Sequence, residues 1–207
     1  MAPTLLDVAD LACRRGGRPV FDRLCFALGA GELLALTGRN GSGKTTLLRA
    51  LALLVRPEAG TIVWQGSDVQ DDPETWRGRL AWLGHLDGLK GDLTVCENLL
   101  GAERLRGRPA ADDRLDLALF AFDLNALAHR AVRTLSAGQR RRTALARVLL
   151  TQAPLWLLDE PLNALDAPAQ QAFRSVLQNH LAGGGLAIAA THADLGVAGA
   201  RTFELAG

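Results

Sequence analysis

Residues Gly38-Arg39-Asn40-Gly41-Ser42-Gly43-Lys44-Thr45-Thr46 follow the pattern G-x-x-x-x-G-K-[ST], and their flanks are the ones such a loop needs. Leu33 to Thr37, just upstream, is a short apolar run that predicts a buried strand. Leu47 to Leu54, downstream, keeps a helical pattern. The glycines let the backbone curl so that successive N–H groups point inward, an anion nest at a helix N-terminus. Lys44 is then within reach of β- and γ-phosphates, and the Thr45 hydroxyl within reach of Mg²⁺. A glycine-rich turn carrying a chance lysine would share the bare pattern; the strand before it and the helix after it argue against that. The stretch asks for an α/β core with a nucleotide at its edge.

The chain around it has 207 residues, enough for one large domain or one domain with an inserted lobe. A formal net charge of +1 gives no strong pull toward nucleic acid or anionic lipid. Met1 to Asp10 lacks the basic-then-apolar order of a signal peptide. No run of about 18 apolar residues occurs, so a membrane span is not expected. Cys13, Cys25 and Cys96 have no metal-type spacing and are expected as reduced, partly buried thiols of a cytosolic protein.

Read in order, Thr4 to Ala12 and Phe21 to Leu28 predict strands around a turn at Arg14 to Pro19. Together with the Leu33–Thr37 strand they suggest an antiparallel sheet beside the nucleotide core. Pro57 to Gly60 ends the helix after the phosphate loop. Thr61 to Trp64 and Asp68-Val69 predict a hairpin, and Leu80 to Leu83 a short strand with a loop from Gly84 to Leu93. Thr94-Val95-Cys96-Glu97 is a capping box. From there to Ala128 the pattern is helical, broken at Gly107-Arg108-Pro109, and predicts a helical lobe over about 94–150 inserted into the core. Strand and helix then alternate again: Leu155 to Leu158, a helix capped by Asp166 and stopped by Gly183 to Gly185, Leu186 to Thr191, and Thr202 to Leu205.

Two further stretches carry chemistry. Leu155 to Leu158 runs into Asp159-Glu160, which places one carboxylate to hold a nucleotide-bound Mg²⁺ and the next to take a proton from the attacking water. Taken alone, an acidic pair ending a strand fits helix capping equally well. Leu135-Ser136-Ala137-Gly138-Gln139 opens a helix with Ala144, Leu145, Val148 and Leu149 on one face. Ser136 caps it, and small residues at 137 and 138 permit close backbone approach, as at a phosphate-binding helix terminus.

In order and spacing, the P-loop, Leu-Ser-Ala-Gly-Gln, the Walker B strand with Glu160, Leu162 to Asp166 and His192 resemble the nucleotide-binding domains of ABC transporters over essentially the whole chain. The resemblance implies a single domain, 1–207, of the P-loop NTPase (ABC ATPase) class with an antiparallel β subdomain and an inserted helical subdomain. It implies a head-to-tail homodimer in which ATP held by Gly38, Arg39, Asn40, Gly41, Ser42, Gly43, Lys44, Thr45 and Thr46 of one subunit is covered by Ser136, Ala137, Gly138 and Gln139 of the other. Thr45 and Asp159 would hold Mg²⁺, Glu160 would be the base, His192 would contact the γ-phosphate and orient Glu160 and the water, and Asp166 would close the D-loop. Two departures narrow the family. His85 stands where the Q-loop glutamine is usual, nine residues before Thr94, and is assigned its catalytic place. Arg15 stands where an aromatic residue usually stacks on adenine, and the chain has no tyrosine.

With Trp64-Gln65-Gly66, Trp82 to His85, Gly88-Leu89-Lys90 and Glu97-Asn98-Leu99, these details look like the CcmA sub-family, the ATP-binding subunits of cytochrome c maturation. That resemblance implies CcmB- and CcmC-like integral membrane partners, a peripheral place on the cytoplasmic face of the bacterial inner membrane, and ATP-driven haem export or release of a haem-loaded periplasmic chaperone. A drug or lipid exporter is the nearest rival. A soluble ABC ATPase acting on nucleic acid is disfavoured by the near-neutral charge, and a regulator without turnover by Glu160 and His192 together. No C-x-x-C-H occurs, so covalent haem on this chain is not expected. His129 and His180 are expected at solvated or edge-of-core positions, and Arg140 to Arg142 on the surface near the ATP site, one of them paired with a carboxylate.

Overall fold

In a computed structural model describing residues 4–107 and 112–205, the strands sort into two sheets. One is antiparallel, in the order β2-β1-β4-β5, from β1 (Thr4–Arg15), β2 (Arg18–Gly29), β4 (Ala59–Trp64) and β5 (Ser67–Asp68). The other is parallel, in the order β6-β7-β8-β3-β9, from β3 (Leu33–Thr37), β6 (Leu80–Leu83), β7 (Leu155–Asp159), β8 (Leu186–Ala190) and β9 (Arg201–Glu204). The expectation that Leu33–Thr37 belongs to the antiparallel sheet is therefore corrected. An uninterrupted apolar run suits a strand covered on both faces, which is the parallel-sheet condition. The alternating strands β1 and β2 instead pair with each other, Leu6 opposite Leu28 and Val8 opposite Phe26.

The parallel sheet is a shared wall between two cores. Leu34 and Leu36 of β3, Leu155 and Leu157 of β7 and Ile188 of β8 face the antiparallel sheet. Leu33, Trp156, Leu158, Ala187 and Ala189 face the helices on the other side. Every second residue changes core, so the inner strands of this wall are apolar on both faces up to their C-terminal ends, whereas the edge strand β9 is exposed and mostly polar.

The helices are α1 (Lys44–Leu51), α2 (Pro73–Gly78), α3 (Val95–Leu105), α4 (Asp112–Ala121), α5 (Ala137–Leu150) and α6 (Ala167–Ala182). α1 stops three residues short of its expected end; Leu53 already has a φ of 52°. α2 was not anticipated. Asp72 caps it by accepting from the Thr75 N–H, and the buried Trp76 indole donates to Leu51 O at 2.8 Å, sealing the end of α1. The Thr94–Glu97 capping box is present in full. Arg108 and Pro109 of the expected break lie outside the described residues. The helical pattern does not persist to Ala128: Asn125–Leu127 and Val132–Thr134 are 3₁₀ turns, and Thr94 bridges Ala131. Cys13 is buried and Cys96 half-buried, and burial raises both thiols above their ordinary pKa, whereas Cys25 is exposed. Among the described residues no helix is long and apolar enough to cross a membrane.

Candidate functional site

Because β3, β6, β7 and β8 run parallel, the segments that follow them emerge on one edge of the sheet: Gly38–Gly43, Gly84-His85, Glu160 and His192. There they surround a cleft of about 940 Å³ lined by Arg15, Val20, Asn40, Gly41, Gly43 to Thr46, Arg49, His85, Asp159, Glu160, Asn163, His192 and Ala193. Gly38, Arg39 and Ser42 belong to the same loop without lining the cleft.

α1 opens on Gly43, at a φ of 101°, with no side-chain cap and no acidic residue in its first turn. A Cβ at Gly43 would be strained at this φ and would sit 2.6 Å from Val20 Cγ1, so any other residue must displace that side chain. The first N–H groups of α1 are thus left for an anion. Lys44, only 8% exposed, donates from Nζ to Gly38 O at 2.7 Å and Arg39 O at 3.1 Å, which holds the ammonium over the curl. The Ser42 hydroxyl in the same curl is buried without a hydrogen-bond partner.

The Thr45 hydroxyl donates to Asp159 Oδ2 at 2.9 Å, joining α1 to the end of β7. A hydroxyl and a carboxylate oxygen are the hard donors Mg²⁺ accepts, and Mg²⁺ takes few protein ligands, completing its shell with water and phosphate. Among the described residues no group of three or more His, Cys, Asp or Glu could cage a metal. Glu160 sits in the left-handed region at a φ of 47°, with its N–H on Ala190 O at 2.8 Å. Its Oε1 stands 3.8 Å from His192 Nε2, close enough for mutual orientation but too long for a hydrogen bond. His85 is exposed at the rim of the cleft and is not tucked beneath Trp82.

The signature residues lie elsewhere. Ser136 caps α5 by accepting from the Gln139 N–H at 3.2 Å, and Gln139 Oε1 accepts from the Ser136 N–H at 2.9 Å. The glutamine's half of this box went unnoticed, although S-x-x-Q spells it. A Cβ at Gly138 would meet Ala164 O at 2.8 Å, so α5 begins in backbone contact with the segment after Walker B. Asp166 caps α6, accepting from the Ala169 N–H at 3.0 Å. Ser136 to Gln139 and Asp166 do not line the cleft of their own chain.

The arginine triplet needs correction. Arg140 donates to Leu135 O and Arg142 to Phe122 O and Asp123, both near the surface, but Arg141 is 4% exposed. Its Nη1 donates to Gly84 O at 3.0 Å and Asp87 Oδ1 at 3.1 Å. Its Nη2 donates to Asp159 O at 2.7 Å and Glu160 O at 2.6 Å. The signal was available: positions 141, 145 and 148 fall on one helical face, and Leu145 and Val148 mark it as the buried one. Further along α5, Arg147 clamps Asp87 O and Gly88 O, with burial pulling its pKa down and Asp87 opposing. His180 takes an edge-of-core position, stacked 3.9 Å from Trp156 and bonded to Leu186 O, and burial lowers its pKa.

A family model described as ABC transporter matches residues 21–163. The cytochrome c biogenesis ATP-binding export protein CcmA of Rhodopseudomonas palustris is 49% identical over 188 residues, 91% of this chain and 92% of its own. Its namesake in Paramagnetospirillum magneticum is 45% identical over 207 residues, 99% of this chain and 95% of its own. A solved ATP-binding subunit of an ABC transporter superposes with a TM-score of 0.82 at 27% identity, covering 91% of this chain and 80% of that one.

Proposed function

The chain belongs to the ABC transporter family as an ATP-binding protein of the CcmA type, and on that premise we propose that two copies hydrolyse ATP beneath the integral membrane subunits of a cytochrome c biogenesis exporter. The observation that carries the chemistry is the cleft in which Lys44, Thr45, Asp159, Glu160 and His192 converge from three neighbouring strands. The open N–H groups of α1 and the Lys44 ammonium bind the phosphates. Glu160 accepts the proton of the attacking water, and His192 holds that carboxylate and the γ-phosphate in register. The products are ADP and phosphate. Thr45 and Asp159 would hold Mg²⁺, which when bound neutralises charge on the phosphate oxygens. Arg15, which lines the same cleft, offers a planar guanidinium for the adenine face.

The second copy supplies Ser136 to Gln139, consistent with their absence from the cleft of their own chain. Asp166 then sits beside the partner's site. His85 lies on the loop that leads from the cleft to α3 and reports nucleotide to CcmB- and CcmC-like partners at the cytoplasmic face of the inner membrane. The test is Glu160→Gln in the complex with its membrane subunits: ATP binding is retained and turnover falls about 10²–10⁴-fold. Turnover near that of the parent would remove the mechanism. Co-purification from membranes with an integral protein unrelated to cytochrome c maturation would remove the assignment of partner.

A further inference from the structure

From its contacts we infer that Arg141 is a positioning residue for Glu160, setting the backbone from which that carboxylate reaches the attacking water. The inference rests on the proposed role of Glu160 as base. Arg141 does not line the nucleotide cleft, so it touches no substrate. Instead one nitrogen, Nη2, donates to two successive carbonyls, Asp159 O at 2.7 Å and Glu160 O at 2.6 Å. Adjacent carbonyls in a strand point to opposite sides. They converge here because Glu160 leaves β7 in the left-handed region, at a φ of 47°. A glutamate resists that conformation, and it persists only where the surroundings hold it. The holders are the Ala190 carbonyl, on the Glu160 N–H, and the Arg141 guanidinium, on the two oxygens.

The guanidinium is itself fixed from the other side. Nη1 donates to Gly84 O and to the Asp87 carboxylate, which supplies the counter-charge a cation 4% exposed requires. Arg141 is therefore a rigid spacer between the loop that bears His85 and the backbone that bears Glu160. Its planar fork reaches both, whereas a lysine has one nitrogen and reaches one side at a time. Displacement of a reacting group by about 1 Å costs up to about 10²-fold in rate, so loss of this spacer reads out in turnover rather than in binding.

The experiment is a four-protein cycle of parent, Arg141→Met, Glu160→Gln and the double variant, each assembled with the membrane subunits. ATPase kinetics are measured together with ATP affinity by titration. Arg141→Met is expected to lower kcat about 10–100-fold with the ATP Kd within about twofold of the parent. In the Glu160→Gln background the same change is expected to alter the residual rate by less than about twofold, because the group it positions is already gone. Unchanged kcat overturns the inference, as does a full additive loss in the Glu160→Gln background. Parental turnover of Glu160→Gln alone removes the base and this inference with it, a result distinct from additivity on a slow Glu160→Gln. If Arg141→Met does not fold, Arg141→Lys takes its place in the cycle. A several-fold loss of kcat at unchanged Kd supports the inference, and parental kcat overturns it.

Discussion

α1 and α5 both begin at a loop proposed above to meet phosphate, yet their N-termini are built in opposite ways. α1 starts at Gly43, which offers no cap, so its first N–H groups have no internal claim on them. Lys44 adds a full charge beside them. α5 starts at Ser136, and the Ser136–Gln139 box already satisfies the N–H groups of both those residues. What remains there is neutral: the N–H groups of Ala137 and Gly138 and the serine hydroxyl proton. Of the nearby cations, Arg141 turns inward and Arg142 pairs with Asp123, while Arg140 keeps its charge and donates to Leu135 O. An uncapped helix with a lysine binds a polyanion on its own. On the proposed function, a capped helix with two of its N–H groups already satisfied adds less affinity and serves to recognise a phosphate held mainly elsewhere. On that same proposal, the first terminus belongs to binding and the second to the closed state.

Three substitutions can break or sharpen that contrast. Gly43→Ala forces a Cβ to within 2.6 Å of Val20 Cγ1 at a φ of 101°, so it should deform the open terminus itself. The expected loss is about 100-fold in ATP affinity, from about 1–3 kcal/mol of strain together with misdirected N–H groups; equilibrium titration measures it. Gly138→Ala pushes α5 off Ala164 O, since the added Cβ would stand 2.8 Å from that oxygen. ATP affinity should stay within about twofold and kcat fall about tenfold, since about 1 kcal/mol of misfit is felt only on closure. Equal losses of affinity at both glycines would erase the distinction. Ser136→Ala is the mildest. It removes the α5 cap and should cost about 1 kcal/mol of stability, read as a lower denaturation midpoint. A parental midpoint would mean that the box does not stabilise this terminus.

The parts that were legible in the sequence are local ones. Gly38–Thr46 announces itself because a phosphate nest is made of consecutive backbone. Thr94–Glu97 and Asp166 announce their helices because a cap reaches only three residues. What escaped depends on partners far along the chain. Leu33–Thr37 reads as a strand, but its sheet is decided by β8 and β9, which begin at Leu186 and Arg201. Arg141 reads as surface charge because its acceptors, Gly84, Asp87, Asp159 and Glu160, are backbone or side-chain oxygens brought in by the fold. Periodicity marked its face as buried, yet no rule of composition says what a buried arginine will find there. α2 escaped for another reason. It spans six residues, too short for a period to show, and only Asp72-Pro73 hints at its start.

The placement of β3 has a consequence for the birth of the chain. Leu36 lies between Ala190 of β8 and Phe203 of β9, so both neighbours of the P-loop strand are translated after every other described strand. At about 5–20 residues per second, roughly 8–30 s pass between the synthesis of β3 and that of its first neighbour. During that interval the antiparallel sheet, complete by Asp68, can form and shelter Leu34 and Leu36 on one side. The nest at Gly38–Gly43 cannot yet be held in place from the other. A nascent chain that still lacks β8 and β9 therefore offers ATP no finished site, because the strand that leads into Gly38–Gly43 is unpaired on both edges.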